Sequence, residues 1–435
     1  MVKDRNTALV VLLTTSIVVA GSAVRANTIN AAPRWAASSS NAGTTNWPQL
    51  GFDPGHSAYN PYETTIGPSN VAHLQQLWSF SAGAGNSTGN VVESDGIVYA
   101  PSANGTIFAL DASTGSRLWS FASGSGYATS GSAPAFDNGF LFTVCNTGTS
   151  TQGICAFNGE SGALGWTYTF PGSSAYAGTP PVVSSGMLFF EGCAASCSYV
   201  ALNEVTGNVV WTQPEVSGCE GNNGVTPAVA YGYLYVGDAC APSGGSLAAL
   251  NIFKRGRTKW QFTEGGQNVG LTVGSGLVVV EVFLPGNNPE EFANAFPARN
   301  PRRGARGWIR YGFSTSSKVF SMAAITRSAT FLTIEGGLTA IKTATGHYLW
   351  FSYPHDSNSS WPSVANGVVY TACPGTPCAY NASNGALLWS QWSGPRVATY
   401  GVPIIVNGAV YGACNGSNVC AWGLPASRSR PRRIL

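Results

Sequence analysis

Eight tryptophans recur at Trp78, Trp119, Trp166, Trp211, Trp260, Trp308, Trp350 and Trp389, 39 to 49 residues apart. Most of them close one short phrase. Its clearest copies are ALDASTGSRLW (109–119), AFNGESGALGW (156–166), ALNEVTGNVVW (201–211), AIKTATGHYLW (340–350) and AYNASNGALLW (379–389). A period in the forties with several short strands per unit is the signature of propeller blades. It overrides the two or three domains that 435 residues would otherwise suggest.

One unit shows the internal order. VVES, a turn at Asp95-Gly96, IVYA, a turn at Asn104-Gly105, TIFAL, a turn at Thr114-Gly115 and RLWSF read as four consecutive strands, A to D. Asp-Gly and Asn-Gly between apolar runs are hairpin signals, because both turn residues reach positive φ. Seven units end at Trp119 through Trp389, and GVPIIVNGAVYGACNGSNVCAWGL (401–424) supplies strands A, B and C of another. The orphan strand LQQLWSF (74–80) completes it. The expected fold is therefore all-β: an eight-bladed β-propeller of four-stranded antiparallel blades, closed by the N-terminal strand so that the ring has no exposed ends.

Around the repeat, the chain divides into residues 1–26, 27–46, 47–424 and 425–435. Lys3 and Arg5, an apolar run from Ala8 to Ala20 and the small residues of Val24-Arg25-Ala26 read as a secretory signal. A linker follows, then the propeller, then a basic tail. The expected location is secreted or periplasmic, in the cell envelope, with no membrane span after signal cleavage. Only 9% of residues are charged and the net charge is +3. Much of the basic charge lies at 254–259, 299–310 and 428–433, which read as insertions or sequence irregularities, and no basic face with interleaved aromatics points to nucleic acid.

Ten cysteines in an exported chain read as disulfides. Cys145 with Cys155, Cys193 with Cys197, Cys373 with Cys378 and Cys414 with Cys420 each flank one short loop between strands B and C, and Cys219 with Cys240 brackets a fifth. No histidine stands at ligand spacing from a cysteine pair, and no C-x-x-C-H motif for haem is present.

The phrase A-[LFIY]-[DNK]-x-x-[TS]-G-x-x-x-W, with the lead WPQLGFDPGHSAYNPYETTIGPSNVAHLQQLW (47–78), resembles the pyrroloquinoline quinone (PQQ) repeat family over nearly all of the chain. That family includes eight-bladed quinoprotein alcohol dehydrogenases and cofactor-free propellers that bind or assemble partners. The resemblance implies a structural role for the repeat glycines and tryptophans, the latter docking between blades. Its dehydrogenases need an aromatic floor for the quinone, an oxygen cage for Ca²⁺, an arginine and a carboxylate base. They also carry a disulfide between adjacent cysteines, which this chain lacks.

Candidates for a site follow from register. Glu191, Asp238 and Glu281, at the ends of B strands, are candidate metal ligands, and Glu335 lies in a B to C turn. Trp361, outside the ladder at the start of an A strand, is a candidate stacking surface for a cofactor or a plug for the channel. Two functions remain open at this point. One is a monomeric module binding a protein or glycan of the exterior or envelope; the other is a PQQ- and Ca²⁺-dependent dehydrogenase of an alcohol or polymeric alcohol.

Overall fold

The repeated phrase folds as strands C and D of a blade, and eight such blades form the propeller. The computed structural model describes residues 45–83, 89–122, 133–147, 151–172, 176–177, 179–194, 196–215, 225–237, 245–263, 266–284, 290–299, 307–311, 322–334, 337–353, 361–373, 375–391 and 401–425. Blade I comprises Val92–Ser94, Ile97–Pro101, Thr106–Asp111 and Arg117–Ala122, each strand antiparallel to the next. Blades II to VII follow in chain order. Blade VIII joins Ile404–Val406, Ala409–Cys414 and Asn418–Gly423 to the N-terminal Gln75–Ser81, the closure expected from the orphan strand.

Each position of the phrase has a physical reason. Its alanine pairs with the tryptophan of strand D on one side and, in seven blades, an aromatic of strand B on the other, as Ala109 does with Trp119 and Tyr99. Those two rings stand two strands apart, roughly 10 Å at the backbone. They nevertheless lean together over the alanine methyl, with centroids 5.8 to 6.0 Å apart in six blades. A larger side chain in the middle would part them. The Asp or Asn two residues after the alanine caps the C to D turn: Asp111 Oδ1 accepts the Ser113 and Thr114 amides, and Asn203 Oδ1 those of Val205 and Thr206.

The glycine and the tryptophan then lock neighbouring blades together. Gly162 of blade II has φ +70°, and a Cβ there would stand 2.7 Å from the Trp119 ring of blade I. The Trp119 indole N–H donates to the Gly159 carbonyl of the same turn at 2.8 Å. The same pair of contacts, ring on glycine and indole N–H on turn carbonyl, recurs for Trp78, Trp166, Trp211, Trp308 and Trp350. The basic segment at 254–259 belongs to this pattern. Its Gly256, one residue later than in other copies, packs on Trp211, so this stretch is an ordinary C to D turn with one residue inserted. The turn that would receive Trp260 includes 300–306, outside the described residues, as are 426–435 and the signal segment.

Blade VIII has no C to D turn, since its strand D comes from the other end of the chain. Trp389 instead meets Trp422 edge-on at 6.1 Å, and Ile66, Val71 and Leu74 of the N-terminal lead fill the gap beside them.

Candidate functional site

The inner strands of a propeller are edge strands, and their unpaired amides and carbonyls face the central channel. Here the N-terminal lead satisfies them. Running once around the channel, Trp47 pairs both ways with Glu93 of blade I, Pro48 accepts from Phe136 of blade II, and the Gln49 side chain exchanges bonds with Val183 of blade III. Pro54, Gly55, Ser57 and Ala58 accept from the amides of Val229, Val273, Ile325 and Val364 in blades IV to VII. Asn60 Nδ2 donates to the Ile405 carbonyl of blade VIII at 2.8 Å, and Tyr59–Asn60 forms a short parallel strand on blade VII. All eight blades are thereby tied to one belt.

Both ends of the belt attach at A to B turns. The Thr45 amide donates to Asn407, Asn46 bonds Asp95, and Glu63 Oε2 accepts the Gly408 amide at 2.9 Å. That mouth of the channel is thus occupied by the chain itself. In the belt, His56 is fully buried at φ +58°, with Nδ1 2.7 Å from the Leu50 carbonyl and Nε2 2.8 Å from the Pro227 carbonyl. Burial pushes its pKa below the ordinary histidine value, against the opposing pull of those two carbonyls and of Asp53. Asp53 accepts the Gly55 and Ser57 amides and the Ser57 hydroxyl, and burial raises its pKa despite them.

Glu93, whose backbone pairs with Trp47 of the belt, is also displaced from the ordinary carboxylate range. Burial first, with the Asp95 charge adding and the Gly96 amide opposing, pushes its carboxyl up to about 8. The folded chain therefore holds this proton from pH 4.5 to about 8 while the unfolded chain releases it, so stability falls as pH rises through that window. We expect Glu93→Gln to gain stability over the wild type between pH 5 and pH 8.5, up to about 5 kcal/mol at 1.36 kcal/mol per pH unit. A difference in melting temperature that stays constant over this range would refute the assignment.

Trp361 stands where the sequence places it, at the entry to strand A of blade VII (Ser363–Ala365). It packs, half-buried, on Leu50 of the belt together with Ala133 and Met322 from the entries to blades II and VI. Blades II and VI are opposite each other in a ring of eight, so this cluster spans the channel. Trp361 thus packs on the apolar cluster, the plug role open to it.

Two of the candidate carboxylates are buried in B strands. Glu191, in Met187–Cys193, shares its sheet face with Phe189, which packs on blade IV. Glu281, in Leu277–Leu284, shares its face with Val279, which packs on blade VI. The two glutamates thus lie on the faces of their strands that meet different neighbours, blade IV and blade VI. Asp238 and Glu335 lie outside the described residues. Glu291, on the same face as Glu281, is pushed up to about 7 by burial. Among the described residues, the group of acids and cysteines close enough to hold a metal ion is Glu191 with Cys193 and Cys197.

The B to C face is stapled. Cys145–Cys155, Cys193–Cys197, Cys373–Cys378 and Cys414–Cys420 are disulfides, each joining the end of strand B to strand C of one blade. Cys219 and Cys240 lie outside the described residues. The belt is what sequence reading missed. Its lead was legible as a family-like segment, but its density of Gly, Pro and polar residues shows no periodicity from which a path around the channel could be read.

A family profile described as outer membrane protein assembly factor BamB matches residues 70–175, 124–283, 177–310 and 298–425. Quinoprotein ethanol dehydrogenase of Pseudomonas aeruginosa is 28% identical over 202 residues, 41% of this chain, which spans 30% of that relative's length. Among solved structures, quinohemoprotein alcohol dehydrogenase of Comamonas testosteroni superposes with TM-score 0.65 at 15% identity, covering 89% of this chain and 82% of its own. BamB of Moraxella catarrhalis superposes with TM-score 0.57 at 15% identity, covering 82% and 100%. At these identities the structural likeness establishes the fold alone. No helix among the described residues is long and apolar enough to cross a membrane.

Proposed function

This chain belongs to the PQQ-repeat β-propeller family, and from that premise we propose that it is an exported, monomeric binding module. Its ligand is a protein or glycan of the cell exterior or envelope, received on the face of the B to C loops above Trp361. The observation that carries this reading is the construction of the channel. The belt lines the channel and attaches at the A to B turns, and an apolar cluster of Leu50, Ala133 and Met322 with Trp361 packed on it joins the entries to the A strands, which lie at the end of the B to C loops. The four staples support the same face as a rigid platform and fit an oxidising compartment. A half-buried tryptophan among stapled loops suits recognition by stacking and apolar contact.

The dehydrogenase reading is favoured by one observation, the 28% identity to a quinoprotein ethanol dehydrogenase. PQQ would supply the hydride-accepting quinone and Ca²⁺ the polarisation of its carbonyl, with Trp361 as the stacking surface. Against it stands the lack of adjacent cysteines in the sequence, a pair that the family's dehydrogenases carry.

Reconstitution decides between the two. The purified protein, incubated with PQQ and Ca²⁺, is expected to retain no stoichiometric quinone after gel filtration and to show no dye-linked ethanol oxidation. On peptide and glycan arrays it is expected to bind a defined ligand, with Trp361→Ala weakening binding at least tenfold and Trp361→Phe retaining most of it. Stoichiometric quinone binding with turnover overturns the binding-module reading.

A further inference from the structure

One staple differs from the others by a carboxylate. Cys193 and Cys197 face each other directly in the hairpin between strands B (Met187–Cys193) and C (Cys197–Asn203) of blade III. Glu191, two residues before Cys193, lies on the same face of that hairpin, because strand side chains alternate. A carboxylate oxygen of Glu191 and the two sulfurs lie within 4.8 Å of one another. All three residues are buried, at 1%, 2% and 6% exposure. In the other three described staples the residue two before the first cysteine is Thr143, Thr371 or Gly412, so stapling a blade does not require an acid here.

We propose that Glu191, Cys193 and Cys197 form a redox-gated site for a soft divalent cation of the zinc class, closed while the disulfide is intact and opened by its reduction. The donor set is two thiolates and one carboxylate, with water in the fourth position, a combination that suits Zn²⁺. In a tetrahedral zinc site, with Zn–S about 2.3 Å and Zn–O about 2.1 Å, ligand atoms stand about 3.5 to 3.8 Å apart. The three ligand atoms lie within 4.8 Å of one another, with the two sulfurs held by their bond at 2.04 Å, short of that spacing. Reduction frees the sulfurs to reach it.

The chemistry balances with a dithiol reductant. Its two sulfurs become a disulfide as the Cys193–Cys197 bond breaks, and its two protons pass to Cys193 and Cys197. Cation binding then displaces both thiol protons to solvent. The proposal stands independently of the ligand-binding face and of any quinone.

The test uses the full chain and Co²⁺ as a spectroscopic probe. Protein reduced with excess dithiothreitol and desalted without oxygen is titrated with Co²⁺ and then displaced with Zn²⁺. The wild type is expected to bind one equivalent more than Cys197→Ser, with thiolate-to-cobalt charge transfer and the strong visible bands of a tetrahedral centre. Oxidised protein is expected to show neither band. Glu191→Gln should weaken that equivalent at least tenfold while keeping the charge-transfer band, and Cys145→Ser/Cys155→Ser should leave it unchanged. Because reduction opens the other staples too, the melting temperature gives a second readout: Zn²⁺ should raise it in the reduced wild type and not in reduced Cys197→Ser. Equal Co²⁺ binding by wild type and Cys197→Ser, or the absence of both a saturable site and a Zn²⁺-dependent rise in melting temperature, overturns the proposal.

Discussion

Replacing Gly162 by alanine is expected to destabilise the propeller by about 2–5 kcal/mol, whereas Gly139→Ala costs about 1–2 kcal/mol. Both glycines have positive φ, +70° and +79°, so both substitutions carry the same backbone strain. They differ in what the new methyl meets. At Gly162 it stands 2.7 Å from the Trp119 ring, and at Gly139 nothing lies within 4 Å. The difference between the variants therefore isolates the contact between blades I and II. Relief is possible only by moving Trp119, whose indole N–H is held by the Gly159 carbonyl. Denaturation midpoints by calorimetry or urea check this. Equal losses for the two variants would mean that the tryptophan ladder contributes packing area but no tight docking.

His56→Ala is expected to cost about 2–5 kcal/mol and to loosen one arc of the belt. The imidazole bridges two carbonyls belonging to different parts of the chain, Leu50 in the belt and Pro227 before strand A of blade IV. Its removal leaves a cavity and strips a buried carbonyl of its donor. The effect is local in the first instance. The amides of Val229 and Val273, which donate to Pro54 and Gly55, are expected to exchange with solvent faster, while the Trp47 and Glu93 pair at the start of the belt keeps its protection. Uniform acceleration around all eight inner strands would show that the belt releases as one unit. Unchanged exchange at Val229 and Val273 would show that His56 does not hold it.

Repetition explains how much could be read before any coordinates were known. Where a residue acts through neighbours a fixed number of positions away, as in Ala109, Asp111, Gly115 and Trp119, five clear copies of the same local problem expose the solution. The staples are of the same kind, because hairpin partners are close in sequence. Glu191 and Glu281 show where this reasoning stops: equivalent register places them at the same depth in two blades, but which neighbour each strand face meets is set by the packing of blades. Register is a property of a blade, and convergence is a property of the ring.

The sequence by itself therefore determined the blade, the count of eight, the closure through Trp78 and four staples, all of which depend on short-range pairing and periodic burial. Only the tertiary structure decided that residues 45–63 encircle the channel, that Trp361 meets Leu50, Ala133 and Met322 at its centre, and that Glu191 lies against Cys193 and Cys197. The belt contacts join residues up to 362 positions apart, and most of those to the inner strands use backbone amides and carbonyls, the carbonyl being common to every residue type and the amide to all but proline. Such contacts leave no pattern in side-chain chemistry, and their geometry exists only once the ring has closed.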